Sequence, residues 1–199
     1  AAEAAQRMGL KTGKLVIATN RNDILFRTLE SGVYASGDAH PTLSPSMDIQ
    51  VASNFERALF EASGRDAGWV RDAMAGFARS RSLTLPPAVL EALRARYSAY
   101  RCDDAQTLEV IARVYRETGR LIDPHTAVAV AAAPKSEGPV VILSTADPAK
   151  FPDAVERATG KTPPLPPRLA GLYDGRERVD TLPNRLETVR DYIANRRTP

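Results

Sequence analysis

The chain has 199 residues, of which 43% are hydrophobic and 26% charged, and its 27 basic and 24 acidic side chains leave a net charge of +3. These are the proportions of a globular protein of one ordinary domain, or of one domain with an appendage, and not of a disordered polymer. The longest apolar runs (15–18, 127–133 and 140–143) are far shorter than the ~18 residues of a membrane helix, and the basic residues are spread out with only 6% aromatics, so neither a membrane nor a nucleic-acid partner is indicated.

Residues 1–8 predict a helix stopped by Gly9 at its C′ position. This segment is interrupted by polar residues and lacks the apolar centre of a secretory signal. It opens without a capping residue, which leads to the expectation that earlier elements of the fold lie outside this sequence. Leu15–Thr19 is a short continuous apolar run, as in strands buried on both faces. NRNDILFRTLESG then turns into a helix with Ile24, Leu25 and Leu29 on one face and Gly32 past its end. Helix–strand–helix predicts an α/β fold with parallel strands.

Residues 33–43 read as loop. From Pro45, the residues Met47, Val51, Phe55, Leu59 and Ala62 recur every three to four positions, which predicts one long amphipathic helix ended by Gly64. Further helices are predicted at 66–79, 86–100 and 104–118, with Pro86-Pro87 and Asp103-Asp104 as start signals. The section 65–120 therefore reads as a helical insertion without a strand. The α/β pattern returns with a small-residue helix in DPHTAVAVAAA (123–133), a second buried strand at Pro139–Leu143 and a helix at about 148–159 ended by Gly160. TPPLPPRL (162–169) suits an extended strap, leading to a last helix at Arg185–Ile193. The expected division is an α/β core from 1–64 and 121–160, a helical segment at 65–120, and a strap with a helix at 161–199.

Three loops hold the residues suited to chemistry. ATNRND (18–23) leaves the carboxyl end of the first predicted strand and STADPAKF (144–151) that of the second, which is where ligands bind in parallel α/β sheets. Asn20, Asn22, Ser44, Ser144 and Thr145 are uncharged hydrogen-bonding groups that equally well cap helices. In SPSMDIQ (44–50), Ser44 as N-cap with Pro45 at N1 is a sufficient structural account, but it leaves Ser46 and Asp48 over. The other reading is a helix N-terminus that offers N–H groups and hydroxyls to an anion. His125 stands between Pro124 and a helix, and His40 lies in a loop without evident partners. One cysteine, Cys102, and two histidines do not make an ordinary zinc site, and the single cysteine fits a reducing, cytoplasmic setting. Neither GxGxxG nor a Walker sequence occurs.

KLVIATNRNDIL, TLSPSMDIQVASNFERALFE, DPHTAVAVA and VILSTADPAKFPDAVERATG follow one another in this chain. Together they resemble the C-terminal half of threonine synthase, in its longer microbial and fungal form, over about residues 8–193. The resemblance implies the C-terminal portion of a fold type II (tryptophan synthase β-like) enzyme, with parallel strands flanked by helices, that uses pyridoxal 5'-phosphate. Such an enzyme converts O-phospho-L-homoserine and water to L-threonine and phosphate by β,γ-replacement. A related phospholyase giving 2-oxobutyrate, or an inactive interaction fragment, are the alternatives. The Schiff-base lysine and the glycine-rich phosphate loop are expected upstream, in an N-terminal segment outside this chain. None of Lys11, Lys14, Lys135, Lys150 and Lys161 matches that motif, so no catalytic residue is expected here and the chain alone is expected to be inactive.

The resemblance carries roles onto matching positions. Thr145, with Ser144 second, is expected against the pyridine nitrogen of the cofactor, and Asp123, His125 and Thr126 beside its ring. Asn20, Arg21 and Asn22, Ser44, Ser46 and Asp48, and Lys150 are expected to contact the phosphate ester and carboxylate of the substrate. Asp147 stands where the family commonly has histidine.

Overall fold

The computed structural model describes residues 2–135 and 138–196. The chain divides into two units, Ala1–Pro164 and Leu165–Pro199. The first runs α1 (Ala2–Arg7), β1 (Leu15–Thr19), α2 (Ile24–Ser31), β2 (Val33–Ala35), α3 (Phe55–Ala62), α4 (Ala67–Ser80), β3 (Ser82–Thr84), α5 (Pro87–Arg96), β4 (Tyr97–Arg101), α6 (Asp104–Thr118), α7 (Pro124–Ala132) and α8 (Pro152–Thr159).

The predicted strand β1 forms with the bounds expected, and its parallel partner is β4, in register from Leu15 opposite Tyr97 to Thr19 opposite Arg101. This corrects the sequence reading twice. The helix expected at 86–100 ends at Arg96, where Tyr97 turns to extended backbone (φ −120°, ψ 146°). The section read as a helical insertion therefore supplies a strand of the parallel pair. The aromatic and alternating run Tyr97-Ser-Ala-Tyr100-Arg fits a strand, and a five-residue ladder outweighs the helical continuation. Conversely, Pro139–Leu143 is not a strand: Val140, Val141 and Leu143 are 41%, 84% and 51% exposed. An apolar run becomes a strand only when another backbone satisfies its N–H and C=O groups, and none of the described residues does so here.

Residues 33–43, read as loop, begin with β2, which pairs antiparallel with β3. Just before β2, Gly32 caps α2 in the left-handed conformation (φ 77°), a role glycine fills without Cβ strain. The long helix expected from Pro45 also does not form. Pro45–Met47 is a single 3-10 turn, residues 48–54 are irregular, and α3 begins at Phe55. Val51, assigned by periodicity to the buried face, is exposed.

Two clusters hold the unit together. Tyr34 of β2 lies at the centre of the larger one, fully buried, with Phe55 and Phe77 rings at 4.9 and 4.6 Å. Around it pack Ile24, Leu29, Leu59, Leu85, Val89 and Leu93 from α2, α3, α5 and the β3–α5 link. Complete burial of each such side chain contributes about 1.5–3 kcal/mol. The smaller cluster joins Val110 and Ile111 of α6 to Ala127 of α7, with Ala158 of α8 against it. The small side chains of α7 let it sit deep: Ala127 and Val128 are fully buried. Asp103 and Gln106 form a capping box on α6, and Gly119 and Gly160 end α6 and α8 in the left-handed conformation.

In the second unit a 3-10 turn at Pro167–Leu169 precedes α9 (Leu186–Asn195), which buries none of its residues. Tyr192 donates to Asp180, and Arg196 pairs with the same carboxylate at 2.6 Å while lying over the Tyr192 ring. No helix among the described residues is long and apolar enough to cross a membrane.

Candidate functional site

β1 and β4 run parallel, so their carboxyl ends open on the same side. A cleft of about 540 Å³ lies there, lined among others by Asn20 and Arg21 after β1, Tyr100 and Arg101 at the end of β4, and Asp23 and Phe26. One wall is charged. Asp23, at the N-cap position of α2, makes no side-chain cap bond and instead accepts from Arg27 Nε and Arg101 Nη1, both at 2.9 Å. Burial alone pushes the Asp23 carboxyl up, but the hydrogen bonds from Arg101 and Arg27 outweigh it and hold the group below the ordinary carboxylate value. Arg101 also stacks over Phe26, 5.2 Å from the ring centre. Cys102, in the lining of the cleft, is buried, and burial pushes its thiol up, which makes it a poor nucleophile.

From Asn20 on the edge of the cleft, a hydrogen-bonded chain runs through the three loops singled out in the sequence. Asn20 is 1% exposed, and its Nδ2 donates to Thr42 Oγ1 (2.8 Å), Ser44 Oγ (2.9 Å) and Asp48 Oδ1 (2.8 Å). Its Oδ1 accepts from the backbone N–H of Asn22 at 2.8 Å, an Asx-type turn that fixes the exit from β1. Asn22 donates through Nδ2 to the carbonyl of His40 and to Asp48 Oδ1, and accepts the N–H of His40. His40 therefore has partners, but through its backbone.

Asp48 faces inward. Its Oδ1 accepts from Asn20, Asn22 and Thr42 Oγ1 (2.6 Å), and its Oδ2 from the Thr42 N–H (2.9 Å). Nor does the 3-10 turn at Pro45–Met47 present free N–H groups to an anion. Pro45 has none, Ser46 N–H donates to His125 Nε2 (3.2 Å), and Met47 N–H to the Ser44 carbonyl (2.9 Å). Ser44 precedes the turn without a side-chain cap bond, since its hydroxyl accepts from Asn20.

The Ser46–His125 contact carries the chain into α7. Asp123 is the N-cap of α7 and is completely buried. It accepts from the N–H of His125 at 2.9 Å and of Thr126 at 3.4 Å, and from the hydroxyl of Thr126. His125 Nδ1 lies 2.9 Å from the same carboxylate. Because Nε2 accepts a backbone N–H, the hydrogen of the imidazole sits on Nδ1. Thr126 Oγ1 in turn is 3.1 Å from Ser144 Oγ, which reaches the third loop. Phe151 of that loop packs on the His125 ring with centroids 4.6 Å apart, and Lys150 Nζ lies 5.6 Å from the Phe151 centroid. No buried side-chain polar atom among the described residues lacks a partner.

Of the residues expected from sequence, Asn20, Asn22, Ser44, Ser46, Asp48, Asp123, His125, Thr126 and Ser144 thus belong to one network. Arg21 is exposed on the cleft, and Thr145 and Lys150 are exposed in the third loop. Thr42, Asp23, Arg101 and Phe151 were not anticipated. Thr42 could have been found: a hydroxyl two residues before Ser44 and six before Asp48 suits a loop closed on its own side chains.

The family described as "Threonine synthase, C-terminal" matches residues 126–193. Threonine synthase of Pseudomonas aeruginosa is 44% identical over 195 residues, which cover 96% of this chain and 42% of that protein. The structure of PLP-bound threonine synthase from Brucella melitensis superposes with a TM-score of 0.90 at 47% identity, over 98% of this chain and 42% of that one. The yeast threonine synthase structure superposes with a TM-score of 0.84 at 30% identity, over 97% and 44%. The chain thus spans about two fifths of the length of the relatives it matches, and it shows the α/β arrangement of their C-terminal portion. From the match of residues, order and fold, the chain belongs to the threonine synthase family and corresponds to its C-terminal part.

Proposed function

We propose that this chain is the C-terminal part of a threonine synthase that converts O-phospho-L-homoserine and water to L-threonine and phosphate with pyridoxal phosphate. The observation that carries this reading is the superposition on the PLP-bound Brucella melitensis enzyme over 98% of the chain. The donor set suits that cofactor and substrate. An exposed hydroxyl, Thr145, follows the 139–143 segment with Ser144 beside it, as a neutral partner for a pyridine nitrogen. No lysine lines the cleft among the described residues, so the lysine that would hold the cofactor is assigned to the N-terminal segment of the full-length enzyme. When bound, pyridoxal phosphate supplies an electron sink for carbanion chemistry.

Exposure divides the work of the chain's own residues. Arg21, Ser46, Thr145 and Lys150 are exposed and are proposed to meet cofactor or substrate; Arg21 and Lys150 provide the cationic charge that a phosphate ester requires. Asn20, Asn22, Ser44, Asp123 and Thr126 are buried, and Asp48 is turned inward; these are proposed to hold the loops in place. Product analysis of the full-length enzyme with O-phosphohomoserine tests the reaction. Threonine with equimolar phosphate is expected, and 2-oxobutyrate as main product would sink the synthase assignment.

A further inference from the structure

Both nitrogens of His125 are engaged, and the side chain is 7% exposed. Nδ1 is held by Asp123, the N-cap of α7, and Nε2 accepts the N–H of Ser46 from the 44–48 loop. Phe151 covers the ring from the third loop. The imidazole thus ties the N-terminus of α7 to the second and third loops, and it has no free nitrogen with which to receive or deliver a proton. Asp123 sets its tautomer: an acceptor at Nδ1 requires the hydrogen there and leaves the Nε2 lone pair for Ser46. Without that lone pair, Ser46 N–H has no acceptor, because the carbonyls of Ser44 and Pro45 receive Met47 N–H and Asp48 N–H and no other acceptor reaches it among the described residues.

We propose that His125 is a positioning residue: through the Nε2 lone pair, with Asp123 fixing its tautomer, it sets the 44–48 loop and the exposed Ser46 hydroxyl against α7, and it takes no part in proton transfer. This rests on the proposed role of that loop in substrate contact. A residue that only orders the substrate loop acts on substrate affinity, whereas a proton carrier acts on turnover.

The test uses the full-length enzyme with His125→Leu, which removes the acceptor, and His125→Gln, whose Oε1 can reach the position of Nε2. Loss of one hydrogen bond predicts a KM for O-phosphohomoserine raised about tenfold in His125→Leu, with kcat within about threefold, and recovery of most of that loss in His125→Gln. A second readout does not depend on turnover. In nitrogen–proton correlation spectra of labelled histidine, the signal missing from His125→Gln has the pattern of the Nδ1–H tautomer. A fall in kcat in both variants at unchanged KM overturns the proposal, and so does an Nε2–H tautomer. If His125→Leu does not fold, His125→Gln and the tautomer decide it. A product other than threonine would remove the proposed reaction while leaving the tautomer result standing, so the two failures are distinguishable.

Discussion

Asp48→Ala separates a residue that holds a loop from one that meets a ligand. The carboxylate accepts four hydrogen bonds, from Asn20, Asn22, the Thr42 hydroxyl and the Thr42 N–H. A hydrogen bond to a charged group nets about 1.5–3 kcal/mol, but the four do not add. Asn20 keeps Ser44 Oγ at 2.9 Å and Asn22 keeps the His40 carbonyl at 2.8 Å, so two donors lose one acceptor of several. The Thr42 N–H has only Asp48, and Asn20 and Asn22, at 1% and 2% exposure, have no access to water as a substitute. The expected cost of Asp48→Ala is therefore about 3 kcal/mol. Asp48→Asn retains a carbonyl oxygen for the three side-chain donors and turns one amide against Thr42 N–H, which costs about 1–1.5 kcal/mol. Urea unfolding followed by circular dichroism, at constant slope, measures both. Equal stability of Asp48→Ala and wild type, within about 0.5 kcal/mol, would refute the inward-facing assignment. So would an Asn variant that is as stable as wild type and yet loses substrate affinity, because that is the behaviour of a ligand contact.

Gly32→Ala tests the close turn between α2 and β2. Its φ is +77° and an added Cβ would lie 2.9 Å from Leu90 Cδ2, so a loss of about 1–2 kcal/mol in a thermal melt is expected. Tyr34 and Tyr97 predict alkaline instability. Burial raises the phenol of Tyr34, while burial and the bond to Glu3 push Tyr97 up to about 12. A phenol whose folded value lies above its unfolded value of about 10 stabilises fully below pH ~10 and loses that contribution as pH rises through the folded value. Melting temperature should therefore fall between about pH 10 and 12, and Tyr97→Phe should remove part of that fall. Phenolate absorbance compared with Tyr97→Phe should show Tyr97 ionising above pH ~10, and its ionisation at or below that pH would contradict the burial.

Local signals in the sequence were strongest where a few neighbouring residues decide the outcome. Asp123-Pro124 starts α7 because a carboxylate can accept two N–H groups two and three residues on, and proline lacks the N–H that would go unpaired. Gly9, Gly32 and Gly160 end their helices because the left-handed conformation asks for glycine. β4 was hidden because Tyr97–Arg101 continues a helical pattern, and only pairing with residues about 80 positions earlier makes it a strand. The Pro45–Gly64 periodicity failed for a different reason. Asp48 and Gln50 draw donors from outside their own segment, and Asp48 gains more from Asn20, Asn22 and Thr42 than a helix could return. Apolar spacing records what a helix would bury, and it is silent about side chains that close a loop on themselves.

The surplus of polar groups at Ser44–Asp48 follows from the same competition. A loop that crosses the carboxyl end of a parallel pair has no ladder or helix to satisfy its backbone, so side chains must do it. Amides and hydroxyls suit this task because each both donates and accepts, and Asn20 alone ties two segments through its Nδ2 and Oδ1. One carboxylate and one imidazole then set the direction of the bonds: Asp48 can only accept, Asp123 can only accept, and His125 is fixed between Asp123 and Ser46. With those directions set, the outward groups (Ser46 hydroxyl, Arg21, Thr145) are held on a frame that does not need the ligand to be ordered. Such a frame lowers the entropy a substrate must overcome on binding, and it accounts for so much internal hydrogen bonding beside an open cleft.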